Sequence, residues 1–425
     1  MIKLLIIADD FTGALDTGVQ FAASGADTLV TTNYQYDFNR GKQPEVLVMD
    51  AETRHRKPDA AYEIVLQLVK KANTIGIPHI FKKTDSALRG NIGSELQAVL
   101  DGSETNQLPF LPAFPKINRT TKNGIQYIDG KPVGESVFGK DPFEPVTCSY
   151  IPDIIRKQSE VEVEVVPSGK TATKDEKRKI IVYDTEEVSC LHKITEKLYR
   201  NNGLHIMAGC SGLAAELSKV IKFEGSHPRM PKLEEQLLVV CGSVNPITIE
   251  QLDFAEKYGF KRIRFSAEEK LNNRFWDLDE GKKQIQEILE TGKYNKLLIL
   301  DTNDKSDADD TKQYAAIHNM DIEDMRIRIS TSLGYLVRKL IEGGLHSTML
   351  LTGGDTLLGF MNQIKVSELK PLGEIDPGTV LSDFDIEGKH YYVISKSGGF
   401  GSEDLLVKIA QMLKEENEDV NKIYA

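Results

Sequence analysis

LLIIADDFTGALD, Leu4 to Asp16, decides the fold: a short apolar run enters two aspartates and a Thr-Gly turn, and then a helical pattern begins. The run is too short to span a membrane. A strand apolar on both faces that ends in a polar turn into a helix is the building unit of a parallel sheet covered on both sides. Working outward, VLVMD (46–50) and HIFKK (79–83) read as further strands, with helices after Gly13, Pro58 and Gly90. Between Pro109 and Pro152 the periodicity fades and Pro, Gly and aromatic residues accumulate. That composition predicts turns and a hairpin, folded as a lobe or lid against a ligand.

Strand and helix signals resume at KIIVYD and at HIMAG, the latter ending in Gly209 before a helix from near Ser211. FEGSHPRMPKLEEQ is polar, proline-bearing and aperiodic, which places a domain boundary between Gly225 and Leu233 and gives domains 1–228 and 229–425. The second half repeats one theme. LLVVCGSVNP, LLILDT, TMLLTGGDT and YYVISKSGGFG read as strands, and three of them run into loops of Gly, Ser and Thr followed by helices. EENEDVNK near the end reads as a charged helix terminus without a function. The expected fold class is two α/β domains with mainly parallel sheets and an active site in the interdomain cleft.

A chain of 425 residues is too long for one hydrophobic core, and 40% hydrophobic with 28% charged residues is the composition of a globular enzyme. A formal charge of -11 opposes broad nucleic-acid or membrane surfaces, which need clustered cations. A local basic pocket for a small anion remains allowed. Cys148, Cys190, Cys210 and Cys241 form no CxxC pair and read as thiols in a reducing compartment. With no signal peptide pattern, the cytoplasm is the expected location. The composition is compatible with a homo-oligomer and does not specify one.

In open α/β sheets the carboxyl ends of the strands form the ligand crevice, and a glycine turn entering a helix presents backbone N–H groups to an anion. TGGDT (Thr352 to Thr356), SKSGGFGSED (Ser395 to Asp404) and CGSVNPIT (Cys241 to Thr248) each have this form. One such loop is often a plain turn; three at strand ends of one domain predict a nucleoside triphosphate. No GxGxxG follows a strand, and PSGKT at Pro167 to Thr171 has Glu164 where a Walker loop needs glycine, so SGKT reads as a surface turn.

The N-terminal half supplies the acceptor side. Asp9 and Asp10 stand where a strand meets a helix, with Thr12 and Gly13 in the turn; a simple helix cap is the plain alternative. FKKTDSALRGNIGSEL (Phe81 to Leu96) brings Lys82, Lys83 and Arg89 together with Asp85, Ser86 and Gly90. Arginine grips a carboxylate with two parallel donors and lysine adds a compact charge, so this stretch predicts a carboxylate or phosphate site. Arg119, Thr120 and Thr121 could add donors to a polyhydroxylated ligand.

In this order, ADDFTGALD, KKTDSALRGNIGSEL, PAFPKINRTTKNGIQYIDG, CGSVNPIT, TGGDT and SGGFGSED resemble the four-carbon acid sugar kinase family over nearly the whole chain. The resemblance implies a sugar-acid-binding N-terminal domain and a nucleotide-binding C-terminal domain. The implied reaction is ATP-dependent phosphorylation of the terminal hydroxyl of a four-carbon aldonic acid. It places ATP against Ser243, the run Gly353, Gly354, Asp355 and Thr356, and Gly398 with Gly399. The chain reads GGDT where the family more often has GGET, and GSVNP replaces a more serine-rich loop; both changes keep the backbone donors. Gly134 to Ile155 looks more like members acting on threonate or erythronate than on 3-oxo acids.

The candidate set is therefore Asp10, Lys83 and Asp85 for chemistry and Asp9, Thr12, Lys82, Ser86 and Arg89 for the acceptor. Magnesium is expected on the γ-phosphate, with its protein ligands unassigned. Either Asp85 or Asp10 is the base. A hydroxy-acid oxidoreductase would need a glycine fingerprint followed by a ribose-binding acid, and that pairing is missing. A non-catalytic sugar-acid sensor would need the glycine loops only as turns.

Overall fold

The computed structural model describes residues 1–141, 144–304 and 309–423, with side chains to residue 415. Pro142 and Phe143 of the segment Gly134 to Ile155, and the side chains of EENEDVNK beyond Glu415, lie outside the described residues. The chain divides into two compact units, Met1–Pro228 and Arg229–Ala425.

The N-terminal unit opens with β1 (Leu4–Ala8), α1 (Phe11–Ala22), β2 (Thr28–Thr31), β3 (Val46–Asp50), α2 (Pro58–Thr74), β4 (His79–Lys83), α3 (Ile92–Gly102) and β5 (Gln107–Leu111). It continues with β6 (Arg119–Lys122), β7 (Ile125–Ile128), β8 (Lys131–Pro132), α4 (Ile151–Arg156), β9 (Glu162–Val166), β10 (Lys179–Tyr183), α5 (Val188–Arg200), β11 (Ile206–Gly209) and α6 (Ser211–Val220). Its main strands lie in the order β2-β3-β1-β4-β11-β5-β10-β9. Every pairing among them is parallel. Both faces are covered, so β1, β3 and β10 are buried along their whole length and read as continuous apolar runs.

From β1 the chain moves to β2 and β3 on one side and then crosses to β4 on the other. This reversal makes the carboxyl ends of β1 and β4 the ligand-binding crevice of the sheet. The expected hairpin region forms a separate antiparallel sheet, β6-β7-β8. Asn123-Gly124 and Asp129-Gly130 turn its corners with all four φ angles positive, at 52°, 71°, 49° and 77°. Such turns match the right-handed strand twist, which is why Asn-Gly and Asp-Gly pairs mark hairpins. SGKT lies in an exposed turn after the edge strand β9, as its context predicted.

The C-terminal unit runs β12 (Leu237–Cys241), α7 (Pro246–Lys257), β13 (Lys261–Arg264), α8 (Ala267–Leu271), α9 (Asp279–Tyr294), β14 (Leu297–Asp301) and α10 (Asp310–Ile317). It closes with α11 (Ile322–Glu342), β15 (Thr348–Thr352), α12 (Gly354–Ile364), β16 (Glu368–Asp376), β17 (Thr379–Ile386), β18 (Lys389–Lys396) and α13 (Leu405–Ile423). The strand order is β13-β14-β12-β15-β18-β17-β16. It is parallel through β18, with β17 antiparallel to both of its neighbours. Here too the first strand is central, and the chain visits β13 and β14 before crossing to β15. The carboxyl ends of β12 and β15 therefore form the crevice. Among the described residues no helix is long and apolar enough to cross a membrane.

Helices α11 and α12 pack backbone to backbone. A Cβ on Gly334 would stand 2.3 Å from Gly359 O, and one on Gly359 would stand 2.2 Å from Ser330 O. Glycine inside a helix costs about 1 kcal/mol relative to alanine, so only this close approach accounts for both residues. Gly359→Ala should therefore destabilise the protein by about 1–3 kcal/mol despite its better helix propensity. The measurement is the urea midpoint, and a midpoint at or above that of the parent would refute the packing argument.

Candidate active site

The carboxyl ends of β1, β3 and β4 gather a buried ionic cluster. Parallel register sets Ala8 opposite Asp50 on one side and Lys83 on the other. The residues that follow each strand therefore meet. Asp9, 2% exposed, accepts from Arg54 Nε at 2.7 Å through Oδ2 and lies 3.2 Å from Lys83 Nζ through Oδ1. Asp10 caps α1, its Oδ1 accepting from Gly13 N at 3.2 Å and its Oδ2 from the Thr12 hydroxyl at 2.8 Å. The same Oδ1 takes Arg54 Nη2 at 2.5 Å and Lys83 Nζ at 3.2 Å. Helix capping, the plain reading from the sequence, and charge pairing are thus combined in one carboxylate.

Gly13 makes room for this arrangement. A Cβ there would fall 1.9 Å from Lys83 Nζ. Asp85 forms a two-point pair with Arg89, Oδ2 to Nε at 2.9 Å and Oδ1 to Nη2 at 3.0 Å, and accepts from the backbone N–H of Ala87 and Arg89. Arg89 also reaches Asp141 at 3.1 Å. Leu88 holds a left-handed φ of 63°, a strained conformation for a leucine, in the tight turn that returns Arg89 to Asp85. Ser86 accepts from Arg119, and the guanidiniums of Arg89 and Arg119 lie 5.2 and 5.1 Å from the Phe138 ring centroid. Phe138 belongs to the predicted lobe, which here supplies an aromatic surface for two cations.

Burial opposes ionisation of all three aspartates, but the cations prevail. Arg54 and Lys83 hold Asp9 and Asp10 below the usual carboxylate range, and Arg89 with Arg54 holds Asp85 well below it. Burial works against the charge of Lys83 as well, and Asp9 and Asp10 outweigh it and raise its pKa. Burial pushes the Cys210 thiol up to about 11 and the Cys241 thiol to about 12, so neither is a nucleophile at neutral pH.

One expectation needs correcting, and one residue is new to the set. Lys82 does not join the cluster: successive strand residues face opposite sides of the sheet, and its ammonium, with no solvent exposure, lies 3.1 Å from Glu95 of α3. Arg54 joins it without having been singled out. The signal was available, because AETRHR follows the strand VLVMD as directly as Asp9 follows β1.

In the C-terminal unit the three glycine loops converge. A Cβ on Gly398 would lie 2.8 Å from Ser243 Oγ, one on Gly242 would lie 2.4 Å from Thr356 Oγ1, and one on Gly353 would lie 3.7 Å from Ser243 Cβ. Gly353 has φ 88° and ends β15 where α12 begins without a side-chain cap, so the first-turn N–H groups face no capping oxygen. Thr248 donates to Gly398 O at 2.9 Å, and Gln251 donates to Phe400 O and Ser402 O at 3.0 and 2.9 Å. Gly399 lies between these anchored carbonyls. Asp355 is ion-paired with Arg326 of α11. Among the described residues no three His, Cys, Asp or Glu side chains gather as a metal site. Asp355 is the acidic side chain of the TGGDT turn, a donor set that suits a cation carried mainly by phosphate oxygens.

Residues 4–217 match the sugar-binding N-terminal domain family and residues 238–406 the nucleotide-binding C-terminal domain family. The D-threonate kinase of Salmonella typhimurium is 30% identical over 432 residues, covering 97% of this chain and 99% of that protein. The chain belongs to the four-carbon acid sugar kinase family. The D-erythronate kinase of Heliobacterium modesticaldum is 26% identical, with 95% of each chain covered. The crystal structure of Haemophilus influenzae protein HI1011 has the same fold, at a TM-score of 0.66 and 20% identity over 96% of this chain and 99% of that one. For this kinase family member the sugar-binding match spans the ionic cluster, and the nucleotide-binding match spans all three glycine loops.

Beside the cluster, Asp50 at the end of β3 is 1% exposed; its Oδ1 accepts from Glu52 N at 3.1 Å and its Oδ2 has no partner. Burial first, and the Glu52 carboxyl second, raise it well above its ordinary value. A carboxyl raised on folding binds more protons in the native state than in the unfolded one, so stability falls as pH climbs past the unfolded value of about 3.9. Asp50→Asn should thus raise the melting temperature at pH 7.5 by roughly 2–4 °C, the response to about 1 kcal/mol in a domain of this size. The gain should vanish near pH 4. A gain independent of pH would exclude ionisation as the cause.

Proposed function

We propose that the chain transfers the γ-phosphate of ATP to the terminal 4-hydroxyl of a four-carbon sugar acid, D-threonate or D-erythronate. Residues 1–228 bind the acid and residues 229–425 the nucleotide. One observation carries the reading: a buried cluster of balanced charges stands at the sheet reversal of the unit that matches a sugar-binding family. Arginine forks recognise a carboxylate, and carboxylates accept hydrogen bonds from hydroxyls; a short polyhydroxy acid offers both groups.

In the nucleotide unit, Ser243, Gly353, Gly354, Thr356, Gly398 and Gly399 line the phosphates with backbone and hydroxyl donors. Magnesium supplies charge neutralisation on the phosphates, and Asp355 is the side chain that would join them in holding it. In the acid unit, Arg89 with Lys83 takes the substrate carboxylate, while Asp9, Thr12 and Ser86 contact hydroxyls. Asp10 is the base. Its side chain keeps 16% exposure against 7% for Asp85, and both oxygens of Asp85 are held by the Arg89 cation, whereas Oδ2 of Asp10 accepts from a neutral donor, the Thr12 hydroxyl. Its low pKa is no obstacle, because phosphoryl transfer depends chiefly on position and charge neutralisation. The four free cysteines fit a cytoplasmic enzyme.

The test is ATP with threonate and erythronate enantiomers and a 3-oxo-tetronate, followed by product analysis and steady-state kinetics. D-threonate or D-erythronate should yield a 4-phosphate. Asp10→Asn should lower kcat by about 100-fold or more, with the KM for the acid changed only a few-fold. Asp85→Asn should instead raise that KM, since Arg89 loses the carboxylate that orients it. Equal and mild effects of the two variants would remove both assignments.

A further inference from the structure

Lys82 and Glu95 form a charge pair with 0% and 1% side-chain exposure, on the opposite face of the sheet from Lys83 and Asp9. A buried pair of this kind is often no better for stability than apolar side chains of the same size, so its presence here calls for another reason. Its contacts supply one. Lys82 Nζ donates to Lys83 O at 2.8 Å and to Ile7 O at 3.3 Å. Glu95 accepts from the Thr53 hydroxyl through its other oxygen. A single ammonium–carboxylate pair therefore joins the end of β1, which bears Asp9 and Asp10, the end of β4, which bears Lys83 and Asp85, and the loop after β3, which bears Arg54.

The Arg54 loop is fastened from that same side. Thr53 N and Arg54 N donate to Asp9 O at 3.1 and 3.2 Å. Asn91, at the head of α3, donates to Thr53 O and to Arg56 O at 2.8 Å each. Gly90, at φ 84°, lets the backbone of Arg54 pass: a Cβ there would lie 3.2 Å from Arg54 O. With 0% and 1% exposure little water reaches the pair, and burial raises the pKa of Glu95 against the pull of Lys82. A low dielectric makes the attraction steep with distance and direction, and therefore good at holding a geometry.

We propose that Lys82, Glu95 and Thr53 are positioning residues: a buried tie beneath the cluster that sets Arg54 against Asp9, Asp10 and Asp85 and so fixes the geometry of the acid site. This rests on the reading of the cluster as that site. None of the three touches substrate. Their effect is expected in binding and turnover of the acid, and not in fold stability or in the use of ATP.

The experiment replaces the pair by apolar side chains of similar length, Lys82→Met with Glu95→Met, in the full-length enzyme. The melting temperature should hold or rise. With whichever of D-threonate and D-erythronate is turned over, kcat/KM for the acid should fall about 10- to 100-fold, the usual result of a misplacement near 1 Å. KM for ATP should stay within about twofold of the parent, a split that general unfolding would not produce. Thr53→Val should show the same split at about tenfold, and Thr53→Ser should restore the parent values; this pair carries the test if the double variant does not fold. Arg54→Lys serves as the reference. If Arg54→Lys leaves KM for the acid unchanged, the cluster is not the acid site and the reading beneath the proposal fails with it. If Arg54→Lys raises KM while the double variant and Thr53→Val do not, the tie alone is overturned. A crystal structure of the double variant decides the tie without any substrate, because Arg54 found in its original place would sink it.

Discussion

The structure of the N-terminal unit depends on one constraint: ionised side chains largely withdrawn from water at the end of a sheet must neutralise one another. Asp9, Asp10 and Asp85 face Arg54, Lys83 and Arg89, and below them Glu95 faces Lys82. Removing any one member leaves an uncompensated charge in a poorly solvated place, which costs more than a typical surface mutation. The backbone details follow from this requirement. Gly13 leaves space for an ammonium, Leu88 accepts a left-handed turn to return Arg89 to Asp85, and Gly90 lets the Arg54 loop pass.

The two units apply one topological device to different chemistry. In each, the first strand is central, the chain explores one side and then crosses to the other, and the reversal opens a crevice at strand ends. The N-terminal crevice carries charged side chains, suited to a small acid whose carboxylate and hydroxyls need distinct partners. The C-terminal crevice carries glycine, serine and threonine, whose main-chain N–H groups suit several phosphate charges spread along a ligand. There the polar side chains serve the backbone: Thr248 and Gln251 hold the carbonyls of the SGGFG loop, so that its peptide planes keep one orientation.

A site whose carboxylates are all held ionised by neighbouring cations is poorly equipped for chemistry that requires a strong base near neutrality. Phosphoryl transfer makes no such demand, since the attacking hydroxyl loses its proton late and the main task is to align acceptor and phosphate. The electrostatics of the cluster therefore agree with family membership for a physical reason. A rigid network of opposite charges gives up base strength for accuracy of placement.

Much of this was legible from local sequence. Both-face apolar runs named the parallel strands, Asn-Gly and Asp-Gly mark the corners of the small antiparallel sheet, and Glu164 in place of a glycine excluded a Walker loop at SGKT. The glycine loops and the candidate acids Asp9 and Asp10 were visible because each sits directly after a strand, but their pairing with Lys83 was not. Tertiary structure decided which strands lie side by side and which way each side chain faces. Pairing of β3 with β1 brought Arg54 to Asp9 across more than forty residues, and alternation along β4 sent Lys82 to Glu95 while Lys83 went to the ionic cluster. Local patterns reflect interactions with solvent and near neighbours along the chain, whereas contacts between distant strands follow from packing, and for that reason the partners of Arg54 and Lys82 were settled only in three dimensions.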